Sequence, residues 1–121
     1  MLIKLSQIVT PFFASGFVKI LKEISLTASQ CRDVIKSRKI IEAEAKDFEE
    51  ARVAAAQKYG KKETNGVEIP ANRVKEFLAE LDSVLKKEIE LPMEKITVPT
   101  DRAIFTAAEL EALADLTDII I

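Results

Sequence analysis

The side chains able to do chemistry in this chain are mostly carboxylates, gathered at Glu49-Glu50 and at Glu88, Glu90 and Glu94. Two carboxylates sharing a strand face, as Glu88 and Glu90 would, suit a hard cation or acid–base work. A Mg²⁺ or Ca²⁺ site also needs loop carbonyls, and nothing nearby in sequence builds a concave wall around these residues. Glu49 and Glu50 are neighbours on a helix, so they point about 100° apart and cannot chelate together. Histidine is absent, which removes the commonest general base and transition-metal ligand. Cys31, the only cysteine, falls in the first turn of a helix, where a thiol is easier to ionise. It has no histidine to activate it, and its phase with Val34 and Ile41 predicts a core position. Lys19, Lys22, Lys36, Arg38 and Lys39 form a basic region suited to phosphates, but no aromatic residues interleave with it and the isoelectric point is near 5.3. The three glycines match no phosphate-binding loop. The expectation is a protein that is not an enzyme, with no catalytic, cofactor-binding or metal residues, no cofactor and no nucleic acid as primary ligand.

What remains is chemistry of contact. Arg38 and Arg52 fall on an otherwise apolar helical seam. They either lie at its edge with their stems over the core, or offer bidentate contacts to carboxylates of a neighbouring chain such as Glu88, Glu90 and Glu94. Ile119, Ile120 and Ile121 end the sequence, and burying each is worth roughly 1.5–3 kcal/mol, so they should add a strand or plug a groove on this chain or another. Charge is uneven: residues 1–40 carry a net +5, residues 41–99 −3 and residues 100–121 −4, for −2 over 121 residues. A basic head and an acidic tail attract one another, within a fold or between copies.

These residues have to be positioned by one domain, since 121 residues with 48% apolar and 31% charged side chains can bury a core without staples. No internal disulfide is possible. No run approaches the ~20 apolar residues of a membrane span. The apolar stretch 8–18 mimics a signal peptide but is interrupted by Thr10 and Pro11, so no secretion by its own signal is expected.

Residues 1–5 alternate weakly and predict a strand, with Ser6 as a possible helix cap after it. Thr10-Pro11 is a helix start, and the apolar spacing that follows predicts a short helix or a broken pair of turns over 7–24. Thr27-Ala28-Ser29-Gln30 is a capping box opening a long helix. Its seam runs Cys31, Val34, Arg38, Ile41, Ala45, Phe48, Arg52, Ala55, Tyr59, widened by Ile35 and Ala56, to a C-cap at Gly60. Glu42 and Lys46 should pair on its outer face. About 32 residues make a rod of roughly 48 Å. Asn65-Gly66 centres a hairpin or a loop over 61–69. Pro70 at N1, or Asn72 as cap, opens a second amphipathic helix through Val74, Phe77, Leu78, Leu81, Val84 and Leu85. This helix should pack antiparallel on the second half of the rod, with Asp82 and Lys86 paired outside. Residues 88–98 alternate and predict an edge strand bent at Pro92, paired with the N-terminal strand. Thr106-Ala107-Ala108-Glu109 is another capping box, for a helix over 107–116. The fold class is α+β, predominantly α: a long helical hairpin, a small two- or three-stranded sheet and a short C-terminal helix.

Several short stretches resemble a group of small, uncharacterised proteins of tailed bacteriophages. They are Phe48-Glu49-Glu50-Ala51-Arg52, Lys58-Tyr59-Gly60, Asn65-Gly66, Phe77 and Leu81, Glu88-Ile89-Glu90-Leu91 and Thr106-Ala107-Ala108-Glu109-Leu110. The start Leu2-Ile3-Lys4-Leu5-Ser6 also looks like that group. The likeness covers roughly 26–113 and rests on spacing and short matches without a chemical signature. Where that group often has Leu-Pro-Ala, this chain has Leu26-Thr27-Ala28, which keeps a cap. The resemblance implies a phage-encoded protein without established catalytic residues. The expected function is protein–protein interaction as a virion structural or assembly component, in the virion or host cytoplasm. Its partners would be other phage proteins or copies of itself, with no membrane. The competing expectations are a regulator or inhibitor of a host protein that offers its acidic face and, third, a small enzyme.

Overall fold

The computed structural model describes the backbone of residues 1–63, 66–99 and 104–120, and the side chains of all of these but 62, 63, 99 and 117–120. The protein is α+β and mostly helical. The chain opens with strand β1 (Leu2–Lys4) and two helices, α1 (Leu5–Ile8) and α2 (Pro11–Glu23), so the 7–24 segment is a broken pair whose second member is a full helix. Thr10 caps α2 by accepting from the Phe13 N–H, with Pro11 at N1. Ser6 caps nothing: α1 begins at Leu5, one residue earlier, and the Lys4 N–H is taken by the Gln7 side chain at 3.0 Å.

The rod is α3 (Ala28–Tyr59), and both arms of its capping box are made, Gln30 N–H to Thr27 Oγ1 at 3.2 Å and Thr27 N–H to Gln30 Oε1 at 2.9 Å. Its buried stripe differs from the predicted seam. Val34, Ser37, Ile41 and Ala55 are buried, whereas Cys31, Arg38, Arg52 and Ile35 are exposed. A step of four from Val34 lands on Arg38 and a step of three on Ser37; only the latter spares a guanidinium from desolvation. Ser37 satisfies its hydroxyl by donating to the Asp33 carbonyl at 2.8 Å. Cys31 sits on the water side of the same phase shift.

Gly60 ends α3 as predicted, its N–H donating to the Ala56 carbonyl at 2.8 Å, but with an extended backbone. Close approach explains the glycine: a Cβ there would lie 2.3 Å from Val67 Cγ1 and 2.5 Å from the Ala56 oxygen. Strands β2 (Lys61–Glu63) and β3 (Gly66–Glu68) pair antiparallel, with Glu63 opposite Gly66, so 61–69 contains a hairpin. Gly66 takes φ +132°, a conformation that glycine adopts without a steric cost. Asn65 lies outside the described residues.

Helix α4 (Val74–Leu85) returns along α3. Lys58 meets Glu80 at 3.3 Å and Lys87 meets Glu44 at 3.0 Å; these pairings run in opposite order along the two segments, so the helices are antiparallel. Neither Pro70 nor Asn72 opens α4. The N-cap is Arg73 without a side-chain hydrogen bond, because a turn closed by Arg73 N–H on the Pro70 carbonyl delays the first helical turn. Asp82 and Lys86 pair at 3.2 Å. Glu42 pairs with Arg38 rather than with Lys46.

The 88–98 segment is two strands. β4 (Glu88–Glu90) pairs antiparallel with β1, Ile3 opposite Ile89, as the alternation predicts. β5 (Ile96–Pro99) pairs parallel with β6 (Thr117–Ile120) through a crossover that contains α5 (Ala107–Ala112). A parallel pair requires a connection of a dozen residues or more, usually helical, and 100–116 supplies it. The chain end therefore adds a strand. Only the backbone of Ile119 and Ile120 is described, and Ile121 lies outside the described residues.

One core joins these pieces. Ile3, Leu5, Phe13, Phe17 and Ile20 meet Val34 and Ile41 of α3, Ile89 and Leu91, and Leu113 and Leu116. The Phe13 and Phe17 rings stack at 5.9 Å. No helix is long and apolar enough to cross a membrane among the described residues.

Candidate interaction surfaces

Two surfaces and one buried cluster stand out once the side chains are placed. The first is the arm formed by the second half of α3 with α4. Helix α4 has a strong apolar stripe, yet none of its residues is buried. Phe77, Leu81, Val84 and Leu85 are half-buried, and Leu78 and Val74 stay 56% and 36% exposed. At 100° per residue, Glu80, paired to Lys58 of α3, lies on one flank of α4, and Val74, Leu78 and Leu85 on the other; Lys87, just beyond the helix, pairs with Glu44. One side of the arm is thus closed by ion pairs and the other is open and apolar. At its tip, Lys58 and Arg73 each lie 5.0 Å from the centre of the Tyr59 ring. The Lys58 ammonium is raised in pKa by Tyr59 first and by Glu80 second.

The second surface is acidic. Glu88 and Glu90 flank buried Ile89 and share the exposed face of β4, opposite Lys4 and Leu2. The amino terminus lies 3.3 Å from Glu90 Oε1 and donates to the Leu91 carbonyl at 2.9 Å. Glu94 is exposed in the link between β4 and β5. Contrary to the expectation from sequence, a concave wall does stand here. An open cleft of about 620 Å³ lies between the start of α3, with Asp33, and residues 90–96; Val34, Leu91 and Met93 also line it, with Glu90, Glu94 and Lys95. Local sequence missed it because its walls lie some 60 residues apart along the chain. Among the described residues no group of three His, Cys, Asp or Glu side chains is placed to hold a metal ion.

The predicted arginines are not brought to that acidic face within the chain. Arg38 Nε lies 3.8 Å from Glu42. Arg52 grips Glu49 with two nitrogens, Nε at 2.9 Å from Oε2 and Nη2 on Oε1. Their hydrogen bonding lowers the pKa of Glu49 and raises that of Arg52. Both arginines remain close to half exposed, each tied to its own helix.

The buried cluster was not legible in the sequence. Glu109 is buried, beyond the local role as reciprocal cap of Thr106 that the capping box predicts. Its carboxylate also accepts from Lys19 Nζ at 2.5 Å and from Ser15 Oγ at 2.8 Å, both on α2. The Lys19 ammonium, then the Thr106 N–H and the Ser15 hydroxyl, lower its pKa to about 2. Beside it the helices nearly touch: a Cβ on Gly16 would lie 2.6 Å from Leu113 Cδ1. With Gln7 Nε2 on Asp115, this is where the basic head meets the acidic tail, within one chain. Partners some ninety residues apart leave no local signal beyond the opposite charges of the two ends.

No family model, curated protein or solved structure matches the chain.

Proposed function

We propose that this protein works by docking rather than by chemistry, and that it is a structural or assembly component of a bacteriophage particle. The observation that carries the docking reading is α4: an amphipathic helix with no buried residue and with Leu78 in water. A helix draws most of its stability from packing its apolar face, so this one is completed by another protein surface. The arm has the form of a helix-in-groove partner, with anchors at helical spacing. The phage assignment rests on the residue resemblance described for 26–113.

Mass spectrometry of purified particles tests the assignment: the chain should be present, and Leu78→Asp should remove it from particles while leaving the free protein folded. A chain absent from particles but found bound to a host protein in infected cells would favour the second reading, a regulator. The observation in favour of that reading is the exposed carboxylate pair Glu88 and Glu90, which resembles the surface a basic host protein would accept.

A further inference from the structure

We propose that the open flank of α4 is a self-association surface, on which a second copy of the chain docks antiparallel about a two-fold axis at Leu78. This builds on the docking reading and names the occupant. Val74, Lys75, Leu78 and Asp82 lie on one side of α4, within about 100° of arc at 100° per residue. Leu78 is at its centre and 56% exposed. Lys75 precedes it by three residues and Asp82 follows it by four. An antiparallel crossing at Leu78 therefore sets leucine on leucine and each Lys75 beside the partner's Asp82, making two ion pairs from one symmetry operation. A parallel crossing would instead oppose lysine to lysine and aspartate to aspartate. A flank with one charge of each sign at mirrored spacing complements itself better than a surface of uniform charge.

The charges are available for this exchange. Lys75 makes no ion pair among the described residues. Among the described residues Asp82 pairs only with Lys86, at 3.2 Å, with both side chains more than 60% exposed, a contact that water and a neighbour readily replace. The opposite flank is already occupied by the Lys58–Glu80 pair, which leaves this one for the partner. Helix α4 is only about 18 Å long. Its face alone falls short of the roughly 1,000 Å² that marks a stable interface, so the association is weak and concentration-dependent.

Sedimentation equilibrium of the full chain up to about 1 mM, in low salt, tests this. The expected result is a monomer–dimer equilibrium that Lys75→Asp and Asp82→Lys each weaken at least about tenfold. The double exchange, K75D with D82K, restores it, and an equimolar mixture of the two single variants associates more strongly than either alone. Leu78→Ser, at an exposed site, abolishes dimers with an unchanged circular dichroism spectrum. A wild-type chain that stays monomeric at about 1 mM, or a double exchange as weak as the singles, overturns the inference. A monomer that still enters particles would refute self-association and leave the docking reading intact; a dimer absent from particles would do the reverse.

Discussion

The body and the arm are built from similar helices but held in different ways. In the body, Phe13, Ile20, Val34, Leu113 and Leu116 are entirely buried, and side chains from the two ends of the sequence close around them. In the arm, Ala55 is the buried residue of the α3 segment and α4 contributes none. Half-buried Phe77 and Leu81 belong to the arm alone, with ion pairs along one edge, whereas half-buried Phe48 and Val84 pack against the body's core. Apolar burial is the main favourable term in folding, so the body carries the global stability. The arm lies nearer the low end of the local-opening scale, where binding elements are found. A helix left short of burial inside an otherwise well-packed domain is where, on the docking reading proposed above, a partner would complete the packing.

The comparison can be broken most directly at two phenylalanines. Phe13→Ala should remove about 3–5 kcal/mol from the unfolding free energy in urea. Phe77→Ala, which loses only part of a buried ring, should remove about 1–2 kcal/mol by the same area argument. Equal losses would show that the arm is as firmly packed as the body. The two close-packed glycines sharpen the same contrast. Gly16→Ala forces a methyl onto fully buried Leu113 and should cost about 1–3 kcal/mol of global stability, partly offset by alanine's better helix propensity of up to about 1 kcal/mol. Gly60→Ala meets exposed Val67 and the end of α3, so hydrogen exchange should quicken in α4 and the β2–β3 hairpin while the body amides stay protected.

Acid should act on the body through Glu109. Its folded-state pKa of about 2 lies below the ordinary 4.5. Its contribution is therefore present above pH 4.5 and lost as the pH falls from there toward about 2. Urea titrations across that window should show a steep fall for the wild type and a shallower one for Glu109→Gln; parallel curves would remove Glu109 from the account. The smallest effect belongs to the arm's edge. Lys87→Ala breaks the pair with Glu44, and its cost should stay within about 0–1 kcal/mol and shrink with added salt.

Much of the fold could be read directly. The caps at Thr10, Thr27 and Thr106 begin their helices where the residue pattern placed them, and the β1–β4 pairing follows from the alternation of the two segments. The candidate surfaces were less legible. Exposure of Glu88 and Glu90 on one strand face could be foreseen. The cleft beside Glu90 and Glu94 could not, nor could the depth to which Glu109 is buried, because each depends on residues brought together from distant parts of the chain.

The division follows the range of the forces. Capping, helical period and strand alternation act between residues a few positions apart, so the sequence by itself determined the helical hairpin, the start of the rod at Ala28 and the C-terminal helix. Which side of the rod is buried, whether Ser37 or Arg38 faces the core, and whether β5 pairs with the N-terminal strand or lies parallel to β6 were decided by the tertiary structure. Those choices turn on desolvation and on the surface against which a crossover can dock, and both exist only once the whole chain has closed around its core.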